Sequence, residues 1–146
     1  MNSEQKELFQ RLHNGRAVLA DTLQNPAVSS IWNSVTDKYR DQAHFVYELI
    51  QNADDAFATY AKFELFDDAV VFRHNGTRHF TVTPIEEESN QNIRHGDINA
   101  ITGVSFSNKK ETDMIGKFGV GFKAVFQYTN SPEIYDKYFR FELQDY

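Results

Sequence analysis

Residues 48–56 read Glu-Leu-Ile-Gln-Asn-Ala-Asp-Asp-Ala, ELIQNADDA, inside a run over 42–59 that holds neither glycine nor proline. The apolar residues of that run recur at helical spacing, which predicts a helix. Residues on a helix lie about 100° apart, so Glu48, Asn52 and Asp55 fall within a sector of about 60°. Leu49, Ala53 and Ala56, with Val46, Ile50 and Phe57, take the adjoining and opposite arcs, leaving a narrow polar stripe beside an apolar side. Asp54 lies off the stripe. No lysine or arginine stands four residues away to pair the two carboxylates. Such a stripe is either solvated surface or a seat for a cation and an activated water. An asparagine oxygen coordinates hard divalent ions, and Mg²⁺ takes few protein ligands. A glutamate one turn away can polarise a water that attacks a phosphoryl group.

Outward from this helix the chain changes period. AKFELF (61–66) and AVVFRHN (69–75) flank Asp67-Asp68, which predicts a hairpin. Upstream, Leu8, Phe9, Leu12, Val18, Leu19 and Leu23 predict a helix over 3–23, ended by Asn25-Pro26, and a second short helix follows over 27–35. Thr81-Val82-Thr83 is extended and stops at Pro84, and 85–99 is polar and acidic. Residues 103–121 hold four of the seven glycines and form a loop. VGFKAVFQY (120–128) then has helical spacing, and YFRFEL (138–143) alternates as a strand. Helices, a hairpin and a loop–helix–strand unit predict an α+β fold in two layers, with helices on one face of a mainly antiparallel sheet.

Composition narrows the classes. The 146 residues suit one domain, and 13 Phe and 7 Tyr supply a packed core. The net charge of −6, without a basic block, gives no footprint for nucleic acid through this domain. The absence of cysteine excludes disulfides and thiolate metal sites and fits a reducing compartment. No apolar run approaches the roughly 20 residues of a membrane span. These features predict a cytoplasmic protein that does not enter a membrane.

GKFGVGFK (116–123) is the second unusual stretch. Gly116 and Gly121 have P-loop spacing, but Phe122-Lys123 follows where that loop needs Lys-Ser/Thr. Gly119, Gly121 and Ala124 fit a dinucleotide fingerprint, but no hydrophobic strand precedes them. The use of such glycines survives both failures: without Cβ, backbone N–H groups approach an anion closely, and the following helix offers its dipole. A flexible glycine turn before a helix is the other reading, and this motif alone leaves both open.

Together these stretches resemble the GHKL superfamily of ATPases, of gyrase, heat-shock chaperone, histidine kinase and MutL type. ELIQNADDA is similar to its first motif, E-x-x-x-N followed by D-A, and IGKFGVGFKAVF (115–126) to its glycine-rich third motif. FRHNG (72–76) sits at a strand end where the family has D-x-G. The order of these motifs with SFSNKK (105–110) resembles the sacsin-like or heat-shock-chaperone-like branch, over about residues 40–135. The resemblance implies a Bergerat ATP-binding fold with ATP and Mg²⁺ as cofactors. Glu48 is implied as the catalytic general base and Asn52 as the Mg²⁺ ligand, with Asp55 nearby acting through water. Gly76 would let the chain pass close to the adenine, beside His74 and Asn75. Residues 103–118 would be the ATP lid. Gly116, Gly119 and Gly121, with the backbone of Phe118, Val120 and Phe122, would wrap the phosphates. Lys109, Lys110, Lys117 and Lys123 would supply countercharge, Lys123 first by its place in the motif.

Two departures stand out. His74, followed by Asn75, replaces the aspartate that accepts from the adenine amino group, which leaves base selectivity open. The chain also ends 25 positions after Gly121, which within this resemblance implies a truncated sheet and an N-terminal fragment, with residues 1–40 as its helical N-terminal segment. Its partners would then be ATP, other domains of a larger parent chain and a second copy through the ATPase domain. Besides an ATPase that closes its lid, the resemblance leaves a non-hydrolysing nucleotide sensor and a histidine-kinase catalytic domain.

Overall fold

The computed structural model describes residues 3–25, 44–90, 92–93, 95–103 and 122–144. The helix expected over 27–35 and nearly all of the glycine loop lie outside them. The described chain is α+β, with helices and antiparallel strands.

Helix α1 spans Ser3–Leu23, as its periodicity predicts. Leu12 is fully buried and Phe9 packs beside it, whereas Val18 is 68% exposed and plays no part in that seam. Leu12 forms the core with Ile98 and Phe139, surrounded by Phe80, Val82, Ile85, Tyr138 and Phe141. The ring of Phe9 lies 5.5 Å from that of Phe139 and 5.6 Å from that of Phe141. Helix α1 is thereby fastened to the C-terminal hairpin.

Helix α2, His44–Asp55, ends earlier than the glycine-free run suggests. Phe57 adopts φ 60°, a left-handed conformation. The N–H of Ala58 then reaches back to the carbonyl of Ala53 (2.9 Å), and that of Phe57 to Asp54 (2.8 Å). This pattern is a Schellman closure carrying phenylalanine where glycine is usual.

Strands β1 (Ala61–Leu65) and β2 (Val70–His74) form the expected antiparallel hairpin, with Phe63 opposite Phe72. Their rings sit 4.7 Å apart, and the Phe66 N–H bonds the Ala69 carbonyl across Asp67-Asp68. Strands β3 (Glu133–Tyr135) and β4 (Arg140–Glu142) form a second antiparallel hairpin.

Among the described residues no ladder joins the two hairpins into one sheet. The extended segment between them finds side-chain partners instead. Helix α3, Asp97–Thr102, follows a 3-10 turn at Ile85–Glu87. Its Asn99 accepts the Thr83 N–H through Oδ1 (2.8 Å) and donates from Nδ2 to the Thr83 carbonyl (2.9 Å). Asp97 accepts the Thr81 N–H (3.1 Å). Two side chains thus satisfy backbone groups that a neighbouring strand would otherwise take. Gly96 makes the approach feasible, since a Cβ there would stand 2.7 Å from the Thr81 oxygen and the Thr83 nitrogen. Finally, Phe122–Gln127 is a 3-10 helix, where the spacing of 120–128 predicts an α-helix.

Candidate functional site

Helix α2 buries Ala53 and Ala56 and leaves Tyr47, Ile50 and Phe57 at 70%, 47% and 71% exposure. An ordinary surface helix turns its apolar side inward and its polar side to solvent. Here Glu48, Asn52 and Asp55 are half-buried, on the flank of the buried face, as are Val46 and Leu49, while Tyr47, Ile50 and Phe57 share the outward side with Asp54. The expectation that Ile50 and Phe57 help to bury the helix fails, and the polar stripe is not the solvated side. Among the described residues no cation pairs with Glu48 or Asp55.

Two of the other motif segments reach this helix. The Phe122–Gln127 turn, which follows the glycine stretch directly, packs against α2. Ala124 is buried, and the rings of Phe45 and Tyr128 meet at a tilt of 44° with centres 4.6 Å apart. At the other end, His74-Asn75-Gly76 meets the C-terminal turn of α2. The Thr77 N–H donates to the Ala56 carbonyl at 2.9 Å. A Cβ on Gly76 would lie 2.7 Å from the Ala56 Cβ and 2.8 Å from its oxygen, so only glycine allows this approach. Gly76 therefore has a packing reason of its own.

The two residues beside it are also committed. His74 Nδ1 accepts the Gly76 N–H at 3.1 Å, and its pKa is pushed below the usual imidazole value by burial, which the charge of Asp136 partly offsets. A backbone N–H can only donate, so the neutral ring carries its proton on Nε2. Asn75 Oδ1 accepts the N–H groups of Thr59 (3.0 Å) and Tyr60 (2.9 Å), and Nδ2 donates to Thr59 Oγ1 (3.0 Å). Its amide locks the turn that leads from α2 into β1.

Lys123 points to the far end of the glycine loop. Its ammonium donates to the Gly103 carbonyl, 2.5 Å away, just beyond the last residue of α3. Burial pushes its pKa down to about 8, and the nearby Arg16 adds repulsion. Phe122 is half-buried beside it. Lys109, Gly116, Lys117, Phe118, Gly119, Val120 and Gly121 lie outside the described residues.

The structure also singles out groups that the sequence reading passed over. Arg78 donates from Nη1 to both carboxylate oxygens of Asp97 at 2.9 Å, and from Nε to the Asp55 carbonyl at 3.1 Å. Asp97 is 6% exposed and also accepts the Thr81 hydroxyl. Arg16 of α1 grips Glu88 through two hydrogen bonds and donates to Thr102 Oγ1, while Glu88 accepts from Asn99. The only sequence signal for Asp97 is an acid after glycine at a helix start, which reads as an exposed cap.

No three His, Asp or Glu side chains gather among the described residues into a protein-only metal cage. Asn52, half-buried with Glu48 one turn before it, fits a different arrangement, in which one amide oxygen holds a hard dication completed by water and phosphate oxygens. Among the described residues no helix is long and apolar enough to cross a membrane.

The Sacsin domain family matches residues 24–141 of the chain. Protein NO VEIN of Arabidopsis thaliana is 33% identical over 111 residues, covering 72% of this chain and 4% of that protein. Sacsin of Homo sapiens is 31% identical over 116 residues, covering 73% of this chain and 2% of its own length. The chain thus spans a small fraction of these relatives. No solved structure matches it.

Proposed function

The chain belongs to the Sacsin domain family, and from that premise we propose that it is a nucleotide-binding module of the GHKL type, which takes ATP with Mg²⁺ and hydrolyses it within a larger, chaperone-like or regulatory protein. The observation that carries this reading is the convergence on α2. The half-buried Glu48–Asn52–Asp55 stripe, the Gly76 approach and the segment after the glycine loop all meet one helix.

In this reading a bound Mg²⁺ supplies charge neutralisation at the phosphates. Asn52 would offer it an oxygen, and Glu48, one turn away, would orient the attacking water and take its proton. Asp55 acts through water at the edge of the pocket. The glycine backbone of 116–121 would offer N–H groups to phosphate oxygens, since glycine lets the chain approach an anion closely. Lys123 adds positive charge at the base of the lid. Closure of 103–118 over the nucleotide would change the contacts of the module with other domains or a second copy.

Glu48→Ala tests the assignment. The variant should keep Mg·ATP binding while phosphate release in the longer parent protein falls at least a hundredfold, within the range expected for a general base. Equal loss of binding and turnover would overturn the role given to Glu48. Binding without turnover in the unsubstituted parent would leave a nucleotide sensor in place of an ATPase.

A further inference from the structure

We propose that Arg78 and Asp97 are positioning residues, which fix the nucleotide-facing helix α2 by clamping its C-terminal end to helix α3. This rests on the nucleotide reading of the Glu48–Asn52–Asp55 stripe. Helix α2 has no basic residue in its last turn. Its last carbonyls nevertheless all find donors: Ala53 and Asp54 from the Schellman closure, Ala56 from the Thr77 and Arg78 N–H groups, and Asp55 from the Arg78 guanidinium. Arg78 thus brings an outside cation to the negative end of the helix dipole.

The guanidinium is itself held. Its Nη1 spends its hydrogen bonds on buried Asp97, the first residue of α3, and Asp97 is braced by the Thr81 N–H and hydroxyl. The five donors of guanidinium form a rigid planar fork, so the bonds to Asp55 and Asp97 fix one orientation between α2 and α3. Asp55 ends α2, and Asn52 and Glu48 lie about 4.5 and 10.5 Å up its axis. A rotation of the helix by about 10° would carry an atom about 6 Å off its axis through about 1 Å. A displacement of that size is enough to cost about a hundredfold in a positioned reaction.

A pair that only supported the fold would lower the folded fraction and leave the affinity of the folded protein alone. A positioning pair changes that affinity, and changes it through the metal. Arg78→Lys separates the two, because lysine still neutralises Asp97 but replaces the rigid fork, which reaches Asp97 from Nη1 and the Asp55 carbonyl from Nε, with a single rotatable ammonium. In the 146-residue chain, with folding checked by circular dichroism, the variant should bind ATP in Mg²⁺ at least tenfold more weakly. Its affinity in EDTA should stay within about twofold of the original. If Arg78→Lys does not fold, the uncharged pair Arg78→Gln with Asp97→Asn gives the same comparison. Folded variants with unchanged Mg·ATP affinity would overturn the inference.

Amide exchange provides an arm that needs no nucleotide. The Ala56, Phe57 and Ala58 amides should exchange at least tenfold faster in Arg78→Lys, and unchanged exchange would refute the clamp. If the original chain binds no nucleotide yet shows this exchange difference, the nucleotide reading fails and the clamp between α2 and α3 stands as a structural device only.

Discussion

Replacing Phe57 by glycine should leave the protein more stable than replacing it by alanine, the reverse of the order found inside helices. Phe57 holds φ at 60° to close α2. A left-handed residue with a Cβ costs about 1–2 kcal/mol, which glycine avoids. Against this, glycine loses more chain entropy on folding, about 0.4–1 kcal/mol relative to alanine. The balance favours glycine by about 1 kcal/mol. Both variants remove the phenyl ring, so its contacts cancel from the comparison, and at 71% exposure those contacts are few. Inside a helix, alanine would win by about 1 kcal/mol, so the sign is diagnostic. Urea unfolding of the two variants, read by circular dichroism, measures the difference directly. In a chain of this size it corresponds to about 3 °C in Tm. Equal stability, or a more stable alanine variant, would refute the left-handed closure.

Two other expectations concern the site. Lys123 has a folded pKa of about 8 against an ordinary value of 10.5, so between those pH values the unfolded chain holds a proton that the folded chain has released. Stability should therefore rise with pH across that window relative to Lys123→Met, as paired thermal melts between pH 7.5 and 10 would show, and a falling difference would contradict the burial of this ammonium. At His74, the neutral ring with Nδ1 engaged presents an N–H donor, whereas adenine offers an amino group that needs an acceptor. His74→Asp should then raise the ratio of ATP to GTP affinity at least tenfold in competition titrations, about the worth of one matched hydrogen bond to a charged group. An unchanged ratio would remove His74 from the base subsite.

What could be read from the sequence was what local periodicity carries. The 3–23 helix, the hairpin around Asp67-Asp68 and a helix through ELIQNADDA follow from spacing and turn chemistry alone. The end of α2 did not, because a phenylalanine in a glycine conformation gives no local signal. Nor did the fate of Thr81 and Thr83, whose strand-like pattern is satisfied by Asp97 and Asn99 from a helix 16 residues on. Long-range side-chain pairing of this kind leaves no period to detect. The site divided in the same way. Helical geometry gathers Glu48, Asn52 and Asp55, but that their face is the half-buried one depends on what packs beside it. Asn75 looked equally able to serve a base, yet its amide is spent on Thr59 and Tyr60. Arg78 and Asp97 passed unnoticed because an arginine and an acid 19 residues apart read as two surface charges.

Calorimetric titration of the 146-residue chain with ATP, in Mg²⁺ and in EDTA, tests the nucleotide assignment most directly when run alongside Asn52→Ala. The account predicts one saturable site, at least tenfold tighter with Mg²⁺, and loss of that Mg²⁺ enhancement in the variant. No binding by the original chain, or binding that neither Mg²⁺ nor Asn52 alters, would contradict it.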